Sequence, residues 1–527
     1  MTTPPVATTR WAPHGMVSTI DHLASTAGVQ ALAGEGSAVD AAVAASAVLA
    51  VTSPHVCGMG GDLFALVYEP DGNVPAALNA SGRAGSGADP DRLRAEGHSE
   101  MPARLDVRAV TVPGCVDGWL ALHGRFGRLP LAHVLRAAIT YAATGFPASP
   151  LLAASHPKLD DARGADDLRV AGRLRAGDLV RRPGVATALE AIVRNGRDGF
   201  YGGAFGDGLL RLGDGEFVTA DLAEPNADWV EPLRVRTFGH DLWTVPPNSQ
   251  GYLTLLGAAI AERLPLPDDP DDERWAHLLV EAARAAGHDR PSVLHEGADV
   301  TPLLSPREVA RRVDLVNGER RSMLATGTAA GGTIALCAGD QDGMAVSLIQ
   351  SNALGFGSLL FEPTTGIGLQ NRGLGFSLER GHPAEYGPAR RPPHTLSPAV
   401  ATRPDGSLRL LTATMGGDSQ PQILLQVLSR VLRHGASPGA AIRAPRWVLT
   451  NTTGFDTWKE PESVAVSVEP DAPAAWVEGL RARGHQVEPM APEHLARFGH
   501  AHLLARTADG WAGAADPRAL IGSVAGY

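Results

Sequence analysis

The chain has 527 residues, 44% hydrophobic and 20% charged, which is ample material for a large packed core. Lys+Arg of 46 against Asp+Glu of 57 leaves a formal charge of -11 with no concentrated basic stretch, which argues against a nucleic-acid partner. Three cysteines, Cys57, Cys115 and Cys337, are too few and too scattered for a disulfide framework or a zinc cluster, and they read as buried small apolar residues.

In chain order, Gly15 to Val51 carries a helical pattern that ends in an alanine-rich stretch, whose small side chains imply close backbone approach. Pro54 and CGMGGD (Cys57 to Asp62) break it before LFALVYEPDG, a strand and turn. VRAVTVPGCVDGW reads as a strand followed by a helix, LPLAHVLRAAITYAATG as a helix closed by Gly145, and the middle of the chain as mainly helical. Asp314 to Gly332 is polar, small and aperiodic, and reads as a flexible segment. TIALCAGD and MAVSLIQS then read as a hairpin, SLRLLTATMGGD as strands leading into the helix PQILLQVLSRVLRHG, and Ser463 to Pro489 as strand, helix, strand. The whole is mixed α and β, with paired strands and helical layers.

Several motifs carry no chemistry. GEGSAV lacks a preceding strand and GFGSLL lacks a third glycine, so neither forms a dinucleotide fingerprint. There is no phosphate loop, no HExxH and no GxSxG. His500 and His502 share one face of a strand, as partly exposed histidines or as a metal pair. The longest apolar run, Ala41 to Val51, is too short to span a membrane, and the first twenty residues lack a signal-peptide pattern, so the expected location is cytoplasmic with no membrane partner.

The linker ends in Gly331-Gly332, and Thr333 opens the strand-rich half. The arrangement fits a simple loop exit. It also fits a cleavage that would make Thr333 a new N-terminus, with a hydroxyl nucleophile and an α-amino base in one residue. An α-amino group with a reference pKa of roughly 7.7–8.0 is partly neutral near pH 7 and can accept the hydroxyl proton.

Ordered segments along nearly the whole chain resemble the γ-glutamyltransferase family of N-terminal-nucleophile hydrolases. They include AVDAAVAASAVLAVTSPHVCGMGGDLFALVY, FGRLPLAHVLRAAITYAATGFP, VPPNSQGY, GGTIALCAGDQDGMAVS, GFGSLLFEPTTGIGLQNRG, RRPPHTLSPA, TATMGGDSQPQ and ADPR. The resemblance implies an α+β, four-layer αββα sandwich. It also implies a precursor that cuts itself between Gly332 and Thr333 into a large subunit, 1–332, and a small subunit, 333–527, intertwined as a heterodimer. Thr333 is then the nucleophile, Gly416 and Gly417 the oxyanion hole, and Ser351 the hydroxyl that holds the nucleophile's amino group.

Asn352, Arg83 and Arg372 follow as substrate-binding candidates, Arg83 through a bidentate grip on a carboxylate. His394 and Thr395 stand where a serine pair is usual in the family, and Gly375 where an acidic residue would hold the substrate's α-ammonium. Ile334 replaces a common second Thr. The expected activity is cleavage of γ-glutamyl, glutathione-like amides through an acyl-enzyme, passed to water or an amino acceptor. The missing acidic residue points to an alternative, an amidohydrolase of another small carboxylate-bearing amide such as oxamate. A non-catalytic binding relative is a second alternative, against which the intact Thr333, Ser351 and Gly416-Gly417 set argues. No metal or organic cofactor is implied, since nucleophile, base and oxyanion donors all come from the chain.

Overall fold

The computed structural model describes residues 8–169, 172–322, 332–450 and 464–527. Two seven-stranded sheets lie at its centre. The first runs, in spatial order, Ser523–Gly526, Met16–Thr19, Gly332–Gly339, Ala345–Ala353, Asp62–Tyr68, Ala76–Ala80 and Asp228–Val230. The second runs Arg10–Ala12, Gly510–Ala515, Ala501–Thr507, Leu408–Thr414, Ala399–Thr402, His240–Thr244 and Leu233–Thr237. Residues on both sides of the 332/333 boundary supply strands to each sheet, and Gly332–Gly339 lies inside the first between Met16–Thr19 and Ala345–Ala353.

Strand alternation sorts the core into layers. Ala335, Cys337, Ile349, Phe64 and Leu66 of the first sheet face Val400, Leu411, Ala413 and Leu504 of the second, forming the seam between the sheets. Their chain neighbours Ile334, Leu336, Leu348, Leu63 and Ala65 face outward, against the helices His22–Ala33, Ala38–Thr52 and Cys115–Phe126. On the other side Leu410, Leu503 and Ala401 pack under Tyr252–Arg263, Glu273–Gly287 and Gln420–Leu428. This is the αββα sandwich.

The alanine-rich helix Ala38–Thr52 is buried along its whole length and starts with a reciprocal capping box between Ser37 and Asp40. Its small residues admit the neighbouring helix closely: a Cβ on Gly28 would stand 3.2 Å from Ala41 O.

Three local expectations change. Met16–Thr19 is a strand, not the start of a helix, because it fills a place between Gly332–Gly339 and Ser523–Gly526. VRAVTVPGCVDGW contains a single 3-10 turn, Val107–Ala109, before its helix, since Val112 N donates to Arg83 O in a loop rather than a ladder. Residues 314–322 are held in place: His277 Nε2 donates to Asn317 O, Ser322 N donates to Glu281 Oε2, and Arg284 Nη2 donates to Ser322 O. The rest of that linker, including Gly331, lies outside the described residues.

The three cysteines are buried and unpaired, and burial pushes each thiol up. Among the described residues no helix is long and apolar enough to cross a membrane.

Candidate active site

Thr333 stands opposite Ser351 on the neighbouring strand, and Ser351 stands opposite Asp62 on the next, so three polar residues form one row across three strands. All three are fully buried. The row lies on the face toward the second sheet, in phase with Ala335 and Ile349 of the seam. A register irregularity between Gly332 and Thr333 interrupts the ladder at the expected cleavage position.

The Ser351 and Thr333 hydroxyls are 3.0 Å apart. Ser351 Oγ accepts from Ala353 N at 2.9 Å and from Arg372 Nη2 at 3.1 Å. With two donors on its lone pairs, its own proton turns away from both, and Thr333 Oγ1 lies within its reach. Arg372 Nη1 donates to Thr395 Oγ1 at 3.1 Å, so one guanidinium bridges the first sheet to the 392–398 segment. Arg372 is buried, and desolvation together with nearby Arg290 lowers it to about 10 against the opposing pull of Asp62 and Asp418, which leaves it charged at neutral pH.

Asp62 accepts from Gly82 N at 2.9 Å and Gln370 Nε2 at 2.9 Å through one oxygen, and lies 3.1 Å from His394 Nε2 through the other. His394 is lowered to about 3, first by burial and then by Arg372. It is therefore neutral, and because its Nδ1 receives Leu396 N at 3.3 Å, its proton sits on Nε2 and is given to Asp62. Asp62 thus accepts from two donors on one oxygen and from His394 on the other.

The VPPNSQGY segment fixes this wall: His394 N donates to Asn248 O at 2.7 Å, and Gln250 N donates to His394 O at 2.8 Å. The Gln250 amide gives one proton to Thr395 O and one to Gly417 O, both at 3.1 Å. Gly416 and Gly417 have φ of 136 and 56, a path that favours glycine. They precede the helix Gln420–Leu428, and no acceptor among the described residues takes either N–H. Beside them, Asp418 receives Arg290 Nη2 at 3.1 Å.

Hydrogen bonds therefore connect Thr333, Ser351, Arg372, Thr395 and, through Gln250, Gly417, while His394 joins through Asp62. Two candidates do not enter this group. Asn352 follows Ser351 by one residue and points to the opposite face of the strand, where it lines a small cavity with Ala50, Pro54 and Val185; the alternation of the strand is the reason. Arg83 is one-third exposed, with its guanidinium on Asn226 Oδ1 and Asp228 Oδ2, each at 3.4 Å. Asp62, Gln250, Gln370 and Arg290 were not singled out in the sequence. Asp62 and Gln250 stand inside CGMGGD and VPPNSQGY, which was the available signal.

His500 and His502 are both buried rather than partly exposed, and His502 Nδ1 meets Ser18 Oγ at 2.9 Å. His277, Glu281 and His485 gather ligand atoms within 4.8 Å of one another. Their capacity is taken up internally: His277 holds His485 at 3.0 Å and Asn317 O at 2.8 Å, and Glu281 pairs with Arg284 at 2.5 Å. Arg284, Arg321 and Arg483 all bear electrostatically on His485, which opposes a further cation.

A family model described as Gamma-glutamyltranspeptidase matches residues 24–526. The oxamate amidohydrolase proenzyme of Klebsiella pneumoniae subsp. pneumoniae is 35% identical, with 98% of each chain covered. The glutathione hydrolase-like YwrD proenzyme of Bacillus subtilis is 34% identical, covering 95% of this chain and 97% of its own. Among solved structures, cephalosporin acylase from Bacillus halodurans matches with a TM-score of 0.89 and 32% identity, over 100% of this chain and 98% of that one. With the two-sheet sandwich already described, these matches establish that the chain belongs to the γ-glutamyltranspeptidase family of N-terminal-nucleophile hydrolases.

Proposed function

We propose that the protein is a self-processing threonine amidohydrolase acting on a small amide that carries a carboxylate and no amino group, oxamate being the simplest case. The observation that carries this reading is the buried, charged Arg372 joined through Ser351 to the Thr333 hydroxyl. The proenzyme names of both curated relatives support maturation by cleavage, and one of those names is oxamate amidohydrolase.

In maturation, Thr333 Oγ1 adds to the Gly332 carbonyl, the C–N bond breaks as the acyl group moves from nitrogen to oxygen, and water hydrolyses the ester. The products are a carboxylate on Gly332 and a free α-amino group on Thr333, in two chains that share both sheets. In turnover the α-amino group takes the hydroxyl proton as Oγ1 attacks the substrate amide. The N–H groups of Gly416 and Gly417 stabilise the oxyanion, the proton passes to the departing amine or ammonia, and water releases the acid.

The pocket chemistry favours an anion without an ammonium. A Cβ at Gly375 would lie 2.5 Å from Pro393 O, so the backbone leaves no room there for an acidic side chain. Asp62 already accepts from His394, Gln370 and Gly82. A γ-glutamyl ammonium would be left unpaired, which is costly in a closed site.

Comparing kcat/KM for oxamate and for γ-glutamyl-p-nitroanilide, with and without a dipeptide acceptor, tests the assignment. Faster turnover of oxamate with no gain from the acceptor is expected. Preference for the γ-glutamyl substrate contradicts it.

A further inference from the structure

Behind the Gly416–Gly417 turn lies a buried charge network that the reaction itself does not use. Asp516 is fully buried and receives Arg446 Nη1 at 2.8 Å, Ala501 N at 2.7 Å, and Arg518 through its backbone N at 3.0 Å and Nη1 at 3.1 Å. Arg518 in turn holds Glu469 through Nε and Nη2, both at 2.5 Å. The network grips one short turn from two sides. Arg446 Nη1 donates to Phe498 O at 2.9 Å, and Asp516 accepts from Ala501 N, so both ends of Phe498–Ala501 are clamped.

That turn is the support of the glycine pair. Met415 N donates to His500 O at 3.2 Å. Gly499 has φ +71, and a Cβ there would stand 2.3 Å from Met415 O and 2.8 Å from Thr414 Oγ1. A Cβ on Gly416 would in turn lie 3.8 Å from Gly499 Cα. The Met415–His500 hydrogen bond and the approach of Gly499 to Met415 O are backbone contacts, and Ile423 Cδ1 packs against both glycines, 3.1 Å from a Cβ on Gly416 and 2.7 Å from one on Gly499.

We propose that Arg446 and Asp516 are positioning residues for the oxyanion donors: they fix Phe498–Ala501, and that turn fixes the path of Met415–Gly416–Gly417. The proposal rests on the assignment of Gly416 and Gly417 as oxyanion donors. Surplus charge here is expensive to bury, so the pairs are maintained as a set: Asp516 is held well below the usual carboxylate range by Arg446 and Arg518 against the effect of burial. A rigid clamp suits the demand, because donors displaced by about 1 Å cost on the order of a hundredfold in rate.

The test uses the full chain, with cleavage followed from the precursor and kcat expressed per cleaved enzyme, in Asp516→Asn and the milder Arg446→Lys compared with Arg312→Lys. Arg312 is a buried arginine of the helical layer, paired with Asp289 and Glu308. All three variants should lower Tm. Only Asp516→Asn and Arg446→Lys should lose kcat, by about tenfold to a hundredfold with KM within about twofold, and they should slow Gly332–Thr333 cleavage in parallel. Wild-type kcat in whichever of the two folds, or an equal kcat loss in Arg312→Lys, overturns the proposal. Thr333→Ala separates the two levels: activity surviving in it overturns the nucleophile assignment, whereas an inactive Thr333→Ala beside a fully active Asp516→Asn overturns only the positioning role.

Discussion

Thr333 and Ser351 face each other across adjacent antiparallel strands with their hydroxyls 3.0 Å apart, and Ser351 is held from its other side by Arg372. The nucleophile candidate is therefore oriented by a residue that is itself fixed by a buried cation. Ser351→Ala removes the hydroxyl and leaves one Arg372 N–H without that acceptor. Hydrogen bonds to charged groups contribute about 1.5–3 kcal/mol, so both cleavage at Gly332 and turnover should slow by roughly ten- to a hundredfold. Time courses on gels and initial rates check this.

Arg372→Gln tests the carboxylate grip. For an anionic amide kcat/KM should fall by about a hundredfold, within the range expected when a charge-assisted pair is lost, while a neutral amide of similar size should be affected far less. Arg372→Lys should restore little, because one ammonium cannot reproduce the reach of the fork to both Ser351 and Thr395. Equal losses on charged and neutral amides would mean that the residue supports Ser351 without touching substrate.

Gly416→Ala places a Cβ on a residue with φ of 136, a region that other residues rarely adopt. The turn should relax and move its N–H. A loss of about a hundredfold in kcat with little change in KM is the expected result, comparable to the removal of one oxyanion donor.

Stability should fall on mild acidification. His55 and His394 are lowered to about 3, His502 to about 3 and His500 to about 4, with burial as the leading cause in each. Between about pH 6.5 and pH 4 the unfolded chain binds protons that these sites refuse, so unfolding becomes more favourable as pH falls and the stability is recovered above pH 6.5. Each such histidine contributes up to about 1.4 kcal/mol per pH unit in that window. Tm measured from pH 8 to pH 4.5 should drop below pH 6.5, and His502→Asn should flatten the slope.

The layers of the fold were legible because hydrophobic period and turn residues agree along most strands, as in TIALCAGD and MAVSLIQS. Met16–Thr19 escaped because MVST is four residues long and merges with the helix that follows; its strand character comes from partners more than three hundred residues away in sequence. The same holds in the site. Thr333 after two glycines reads equally as a loop exit and Gly416-Gly417 as a turn, and it is the resemblance to the family that gives both a chemical role. Asp62 and Gln250 form their contacts only once three strands and the 392–398 segment meet, so CGMGGD and VPPNSQGY mark the segments but not the role of either side chain. Asn352 is next to Ser351 in the chain, and in a strand one residue is the difference between the two faces.

Denaturing electrophoresis with intact-mass analysis of the purified protein beside Thr333→Ala bears most directly on the account. A cut after Gly332 divides the 54.9 kDa chain into pieces of about 35 and 20 kDa. Two chains of these masses in the wild type, with Thr333 at the new N-terminus, and one intact chain in Thr333→Ala are predicted. An uncut wild-type chain that still hydrolyses its amide, or a Thr333→Ala protein cut at the same bond, would contradict the assignment of Thr333 as the nucleophile.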